Sequence, residues 1–142
     1  ADILLGNKLG LAESMGIDVS CSLVLPYPCG LRDIDLCIVL SNALDNAIHA
    51  CKGMDGPGAC ICISGRIQGD FLMLEFENPF QGDGPVRRGT GLSNIKSVAE
   101  KYGGTMNVEI RENIFALQVL FILPQQQNDA AVSSGQKTGI VP

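Results

Sequence analysis

One helix constrains this chain more than any other feature. The stretch VLSNALDNAIHACKG, Val39 to Gly53, continues an apolar pattern that begins near Asp33. At 100° per residue, Leu36, Leu40, Leu44, Ala47, Ile48 and Cys51 fall on one side. That side has to be buried against a sheet or other helices. Asn42, Asp45, Asn46 and His49 fall at offsets 0, 3, 4 and 7, in one stripe on the opposite side. A merely solvated face would favour Glu, Lys and Arg. Each mid-helix Asn costs some tenths of a kcal/mol against Ala, so something other than helix stability favours them.

Asn offers an uncharged oxygen ligand together with two N–H donors. Such oxygens suit Mg²⁺, which keeps several waters and binds phosphate plus few protein groups. A neutral ligand also avoids repelling a polyphosphate. On spacing alone, a solvated polar face or a buried amide network is the favoured explanation of the stripe.

The rest of the chain supplies partners for the apolar side. Ile3 to Met15 reads as a short helix with apolar residues at 5, 9 and 12, stopping at Gly16. Val19, Cys21, Leu23 and Leu25 alternate as a strand, closed by the turn-forming PYPCG, and Asp33 is a candidate cap for the amide-lined helix. GMDGPG is a loop. ACICISGRI and FLMLEFEN form a hairpin across Gln68-Gly69-Asp70. LSNIKSVAEKYGG is a third helix, with Ile95, Val98, Ala99 and Tyr102 at helical spacing. TMNVEIR and IFALQVLFIL form a second hairpin across Glu112-Asn113. Three helices and about five strands without regular βαβ alternation predict an α+β, two-layer sandwich. Its sheet is mixed, mainly antiparallel, and covered on one face by the helices. Residues 1–124 form this domain, and 125–142, which lack a core-forming pattern, are expected to be disordered.

Composition removes several function classes. Apolar residues make up 46% of the 142, and the net charge of −5 gives no broad basic surface for nucleic acid. The longest apolar run, near Phe115 to Leu123, falls short of a membrane span. Ala1 looks like a cut inside a longer polypeptide. The six cysteines (Cys21, Cys29, Cys37, Cys51, Cys60 and Cys62) contain no CxxC pair and have a single His to join them. They read as small buried thiols in a reducing, cytoplasmic compartment.

The segment GDGPVRRGTGLSN leads straight into the third helix. Gly89 and Gly91 would let backbone N–H groups approach an anion, and the helix start favours negative charge. Arg87 and Arg88 are candidates for charge-assisted bonds to phosphate. The pattern lacks both the Walker lysine and the third glycine of a dinucleotide loop.

The amide stripe and the glycine segment occur together, about forty residues apart. In that order they resemble the ATP-binding (Bergerat) fold of the GHKL group, which includes gyrase-type ATPases, Hsp90-type chaperones, histidine kinases and mismatch-repair proteins. LSNALDNAIHAC looks like the N box of sensor histidine kinases, and GTGLSNIKSVAEKYGG like their second glycine box. NKLGLAESMGIDV and LEFENPF are similar to the peptide-quorum and related sensor kinases.

The resemblance implies ATP lying between the N-box helix and the glycine loop. Asn46 would be the Mg²⁺ ligand, assisted by Asn42, with Asp45 in the same stripe. His49 falls where the family often carries a basic residue near the phosphates. Asn78 stands where many relatives have an adenine-binding aspartate, with Pro79 and Phe80 beside it. Gly89, Thr90, Gly91 and Leu92 would hold the phosphates, and Phe80 to Arg88 would form a short lid. The sequence departs from the wider group at Ala50, where an aromatic ring is common, and in the box reading NPFQG.

Position 42 bears on the reaction. Hydrolysing members carry a glutamate four residues before the metal-binding Asn, and the Asn42 amide takes up no proton near neutral pH. The resemblance therefore implies γ-phosphoryl transfer to another nucleophile, resting on positioning and Mg²⁺. His49 lies in the nucleotide stripe and HACK is no acceptor motif, so the acceptor histidine belongs to a separate dimerisation domain. A response regulator would lie downstream. The alternatives are a serine kinase resembling anti-sigma factors and a non-catalytic module that binds nucleotide or a partner.

Overall fold

The computed structural model describes residues 2–23, 30–52, 60–80 and 90–124. Cys29, Gly53, Arg87, Arg88, Gly89, the body of the expected lid and the tail 125–142 lie outside them. The elements run α1 (Asp2–Ser14), β1 (Asp18–Leu23), α2 (Asp33–Lys52), β2 (Cys60–Gln68), β3 (Phe71–Pro79), α3 (Thr90–Lys101), β4 (Thr105–Arg111) and β5 (Ile114–Ile122).

The five strands form one sheet in the order β1-β2-β3-β5-β4. β1 runs parallel to β2, and every other pair is antiparallel. Period-2 alternation assigns the two faces. Ile61 and Ile63, then Leu72, Leu74 and Phe76, then Phe115, Leu117, Val119 and Phe121 are buried under the helices. Their neighbours Ser64, Glu75, Glu77 and Gln118 point the other way. The expected α+β sandwich is the observed one: three helices on a mixed five-stranded sheet.

α2 lies at the centre. Leu36, Val39, Leu40, Ala43, Leu44, Ala47, Ile48 and Cys51 are all buried, which is the apolar side read from the sequence plus two more residues. α1 packs on α2 and β1, while α3 packs on α2, β4 and β5. Among the described residues no helix is long and apolar enough to cross a membrane.

Three local readings shift. The backbone N–H of Leu36 donates to Arg32 O at 3.1 Å, so Arg32 is the flanking residue and Asp33 already lies in the first turn. There Asp33 and Asp35 favour the helix through its dipole rather than as a cap. The β2–β3 connection is the two-residue turn Gly69-Asp70, since Gln68 still pairs with Phe71. The described cysteines are all free, but only Cys51 is fully buried. Cys37, Cys60 and Cys62 are half-buried and Cys21 is exposed on the edge strand β1.

One buried polar node locks α2 to α3. Asp35, 4% exposed, accepts from Lys101 Nζ at 3.0 and 3.2 Å and from Tyr102 Oη at 2.5 Å. Tyr102 Oη in turn accepts from the Arg32 backbone N–H at 3.0 Å. The Tyr102 bond, with Lys101, holds the Asp35 carboxyl below its ordinary 3.8 against the opposing effect of burial. A carboxyl whose pKa falls on folding stabilises the fold above its unfolded pKa and loses that contribution as pH drops through the folded value. Tyr102→Phe is therefore expected to cost about 1–3 kcal/mol at pH 7. It should also flatten the loss of thermal midpoint below about pH 4. A wild-type-like acid limb in the variant would contradict this assignment.

Candidate functional site

Asn42, in the amide stripe of α2, faces the first turn of α3. Asn42 is half-buried, and its Nδ2 donates to Ile38 O at 2.7 Å, one turn back. With the amide nitrogen fixed, the Oδ1 is turned to the neighbouring helix. It lies 3.2 Å from the point a Cβ on Gly91 would occupy. A Cβ there would push the Asn42 side chain back by a few tenths of an ångström. The N–H groups of α3's first turn have no partner within the helix, so the positive end of its dipole opens beside the Asn42 carboxamide.

Around that junction the other predicted residues are distributed unevenly. Asn46 is half-buried and His49 exposed, and neither has a hydrogen-bond partner among the described residues. Asp45 is exposed but engaged: Lys8 Nζ of α1 donates to its Oδ1 at 2.6 Å. Leu92 is buried in the core, so only its backbone N–H is available to a ligand. Thr90 opens α3, and its backbone alone is described.

Asn78 sits near the end of β3, 3% exposed, on the face that α2 covers. Its Nδ2 donates to Pro79 O at 2.8 Å, and its Oδ1 has no partner among the described residues. A buried carbonyl oxygen left without a partner costs about 1–3 kcal/mol, so a donor that reached this one would be favoured. Pro79 and Phe80 are half-buried. The Phe80 ring lies 6.0 Å from that of Phe115, and its N–H donates to Asn113 O at 2.7 Å. The first residue of the expected lid is thus pinned to the β4–β5 turn.

Among the described residues no group of three or more His, Cys, Asp or Glu could hold a metal. A cation here would be met by amide oxygens such as that of Asn46, together with groups brought by its ligand. Two open concavities, of about 420 and 440 Å³, belong instead to the uncovered face of the sheet. They are lined by residues such as Glu77 with Glu109, and Ser64 with Glu75, and lie across the sheet from the stripe.

Sequence reading missed two features that tie α2 to the other helices. Lys8 comes from a helix 37 residues before its partner, and the Asp35 node joins residues 66 and 67 apart. Neither has a local signal.

A family model for the GHKL domain matches residues 31–122. The chain belongs to that family. Solved structures agree in fold. The catalytic domain of histidine kinase ThkA superposes with a TM-score of 0.63 at 21% identity, covering 85% of this chain and 90% of that one. The mycobacterial sensor histidine kinase MprB gives 0.62 at 16%, covering 84% and 93%. The blue-light activated histidine kinase EL346 of Erythrobacter litoralis gives 0.65 at 17%, and this chain spans 86% of itself but 41% of that longer protein. No protein of curated function matches the sequence.

Proposed function

We propose that residues 1–124 are the catalytic ATP-binding domain of a sensor histidine kinase of the peptide-quorum-sensor type. It would pass the γ-phosphoryl of Mg-ATP to a histidine on a separate dimerisation domain, with a response regulator further downstream. The observation that supports this reading is the approach of the Asn42 carboxamide oxygen to Gly91, which brings one amide of the stripe to the start of α3.

The surroundings of the described residues support a part for each. The Asn46 oxygen, without a partner among the described residues, would hold Mg²⁺, and Asn42 and the Gly91 and Leu92 N–H groups would orient the phosphates. His49 would add a donor at the exposed end of the stripe. Buried Asn78 would accept from the adenine amino group with its Oδ1, beside Pro79 and Phe80. Arg87, Arg88, Gly89 and Thr90 complete the proposed phosphate side. Mg²⁺, when bound, supplies neutralisation of the charge developing on the phosphates. At position 42, where hydrolysing members carry a glutamate, the Asn42 amide takes no proton from water. Phosphoryl transfer is thereby favoured over hydrolysis. A cytoplasmic setting, beside the membrane-bound remainder of a receptor, fits this role.

The test is phosphotransfer in trans. The domain is mixed with labelled Mg-ATP and the purified dimerisation hairpin of its own full-length receptor. Acid-labile, base-stable label on the hairpin is the expected result. Label on a serine of another protein would favour the anti-sigma-like reading, and binding without transfer would favour a non-catalytic module.

A further inference from the structure

We propose that Lys8 is a positioning residue of the nucleotide site and acts through Asp45, making α1 a working part of the pocket. The proposal rests on the Mg-ATP reading above. Lys8 and Asp45 form a 2.6 Å ion pair between two helices, with side chains 24% and 55% exposed. An exposed pair contributes at most about 1 kcal/mol to stability, so the needs of the fold do not account for it. The location does. Asp45 is the sole acid in the stripe, adjacent to Asn46 and one turn from Asn42 and His49.

A polyphosphate held by Asn46 and the N–H groups at Gly91 would stand within about 10 Å of that carboxylate, inside the screening length of physiological salt. Left bare, Asp45 would repel the phosphates. Lys8 cancels this charge and ties the Asp45 Oδ1 to α1. Its own position is fixed by Leu5 and Leu9, packed against the core, and by buried Ala12. Residue 8 precedes the 31–122 span matched by the family model, so the family match assigns it no role.

A double-mutant cycle read by calorimetry tests this. Lys8→Ala is expected to weaken Mg-ATP binding roughly fivefold to tenfold at low salt, and less at high salt. Adding Asp45→Asn should abolish the effect, so that the double variant binds as Asp45→Asn alone does. Lys8→Arg should retain wild-type affinity, and all thermal midpoints should stay within a few degrees. Unchanged affinity in Lys8→Ala would overturn the proposal, as would a double variant weaker than Asp45→Asn by the same factor. A wild-type domain that takes up no Mg-ATP would instead remove the nucleotide reading itself, whereas wild-type binding with an indifferent Lys8 removes only this inference.

Discussion

Asn46→Ala is expected to abolish Mg²⁺-dependent nucleotide binding while leaving the domain folded. The reasoning has two parts. Asn46 is half-buried and makes no hydrogen bond among the described residues, so its side chain supports little of the fold. Ala is also the better helix former, by some tenths of a kcal/mol, so the thermal midpoint should hold or rise slightly. Removing a direct metal ligand should cost at least as much as removing the groups that orient one, about 100-fold. Titration of Mg-ATP by calorimetry reads the effect, and EDTA in a parallel titration separates the metal-dependent part. Unchanged binding in the variant would take Asn46 out of the site.

The second large effect is structural. Gly104→Ala is expected to destabilise the domain by about 3 kcal/mol or more, lowering the thermal midpoint by about 10 °C. α3 ends in a glycine-terminated cap. Gly103, at φ 73°, donates its N–H to Glu100 O at 2.9 Å, and Gly104 donates to Ala99 O at 2.8 Å. This turns the chain directly onto β5. A Cβ on Gly104 would lie 1.7 Å from Leu120 O and 2.6 Å from Leu120 C. Those are backbone atoms of a paired strand, so no rotamer change relieves the clash. Gly103→Ala meets only Ile122 Cδ1, at 3.6 Å, and should cost less, through its positive φ. Equal effects at both positions would show that the close approach is not what requires glycine here.

The contrast between these two positions reflects what the sequence can reveal. Paired glycines after a helical pattern announce an end to α3, but only the fold shows which one touches a neighbouring strand. The same holds for the sheet. Alternation in residues 60–68 and 71–79 identifies the hairpin, and the Glu112-Asn113 turn, with φ of 50° and 66°, joins β4 and β5 where expected. That β5 lies between β3 and β4, and that β1 joins parallel to β2, depends on long-range pairing. At the site, the stripe of Asn42, Asp45, Asn46 and His49 is legible because helical period is a local property. The partner of Asp45 is not, because Lys8 sits on another helix. Asn78 could be named only through resemblance. Its burial, with one oxygen unpartnered among the described residues, is a tertiary fact.

The central claim is that the stripe and the start of α3 meet at one phosphate-binding point. It is tested most directly by NMR on the ¹⁵N-labelled domain, with Mn²⁺ replacing Mg²⁺ beside a non-hydrolysable ATP analogue. Paramagnetic broadening should strike the side-chain amides of Asn42 and Asn46 and the backbone amides of Gly91 and Leu92 together, only when nucleotide and ion are both present. Broadening of one group with the other untouched, or centred on Glu77 and Glu109 across the sheet, would contradict it.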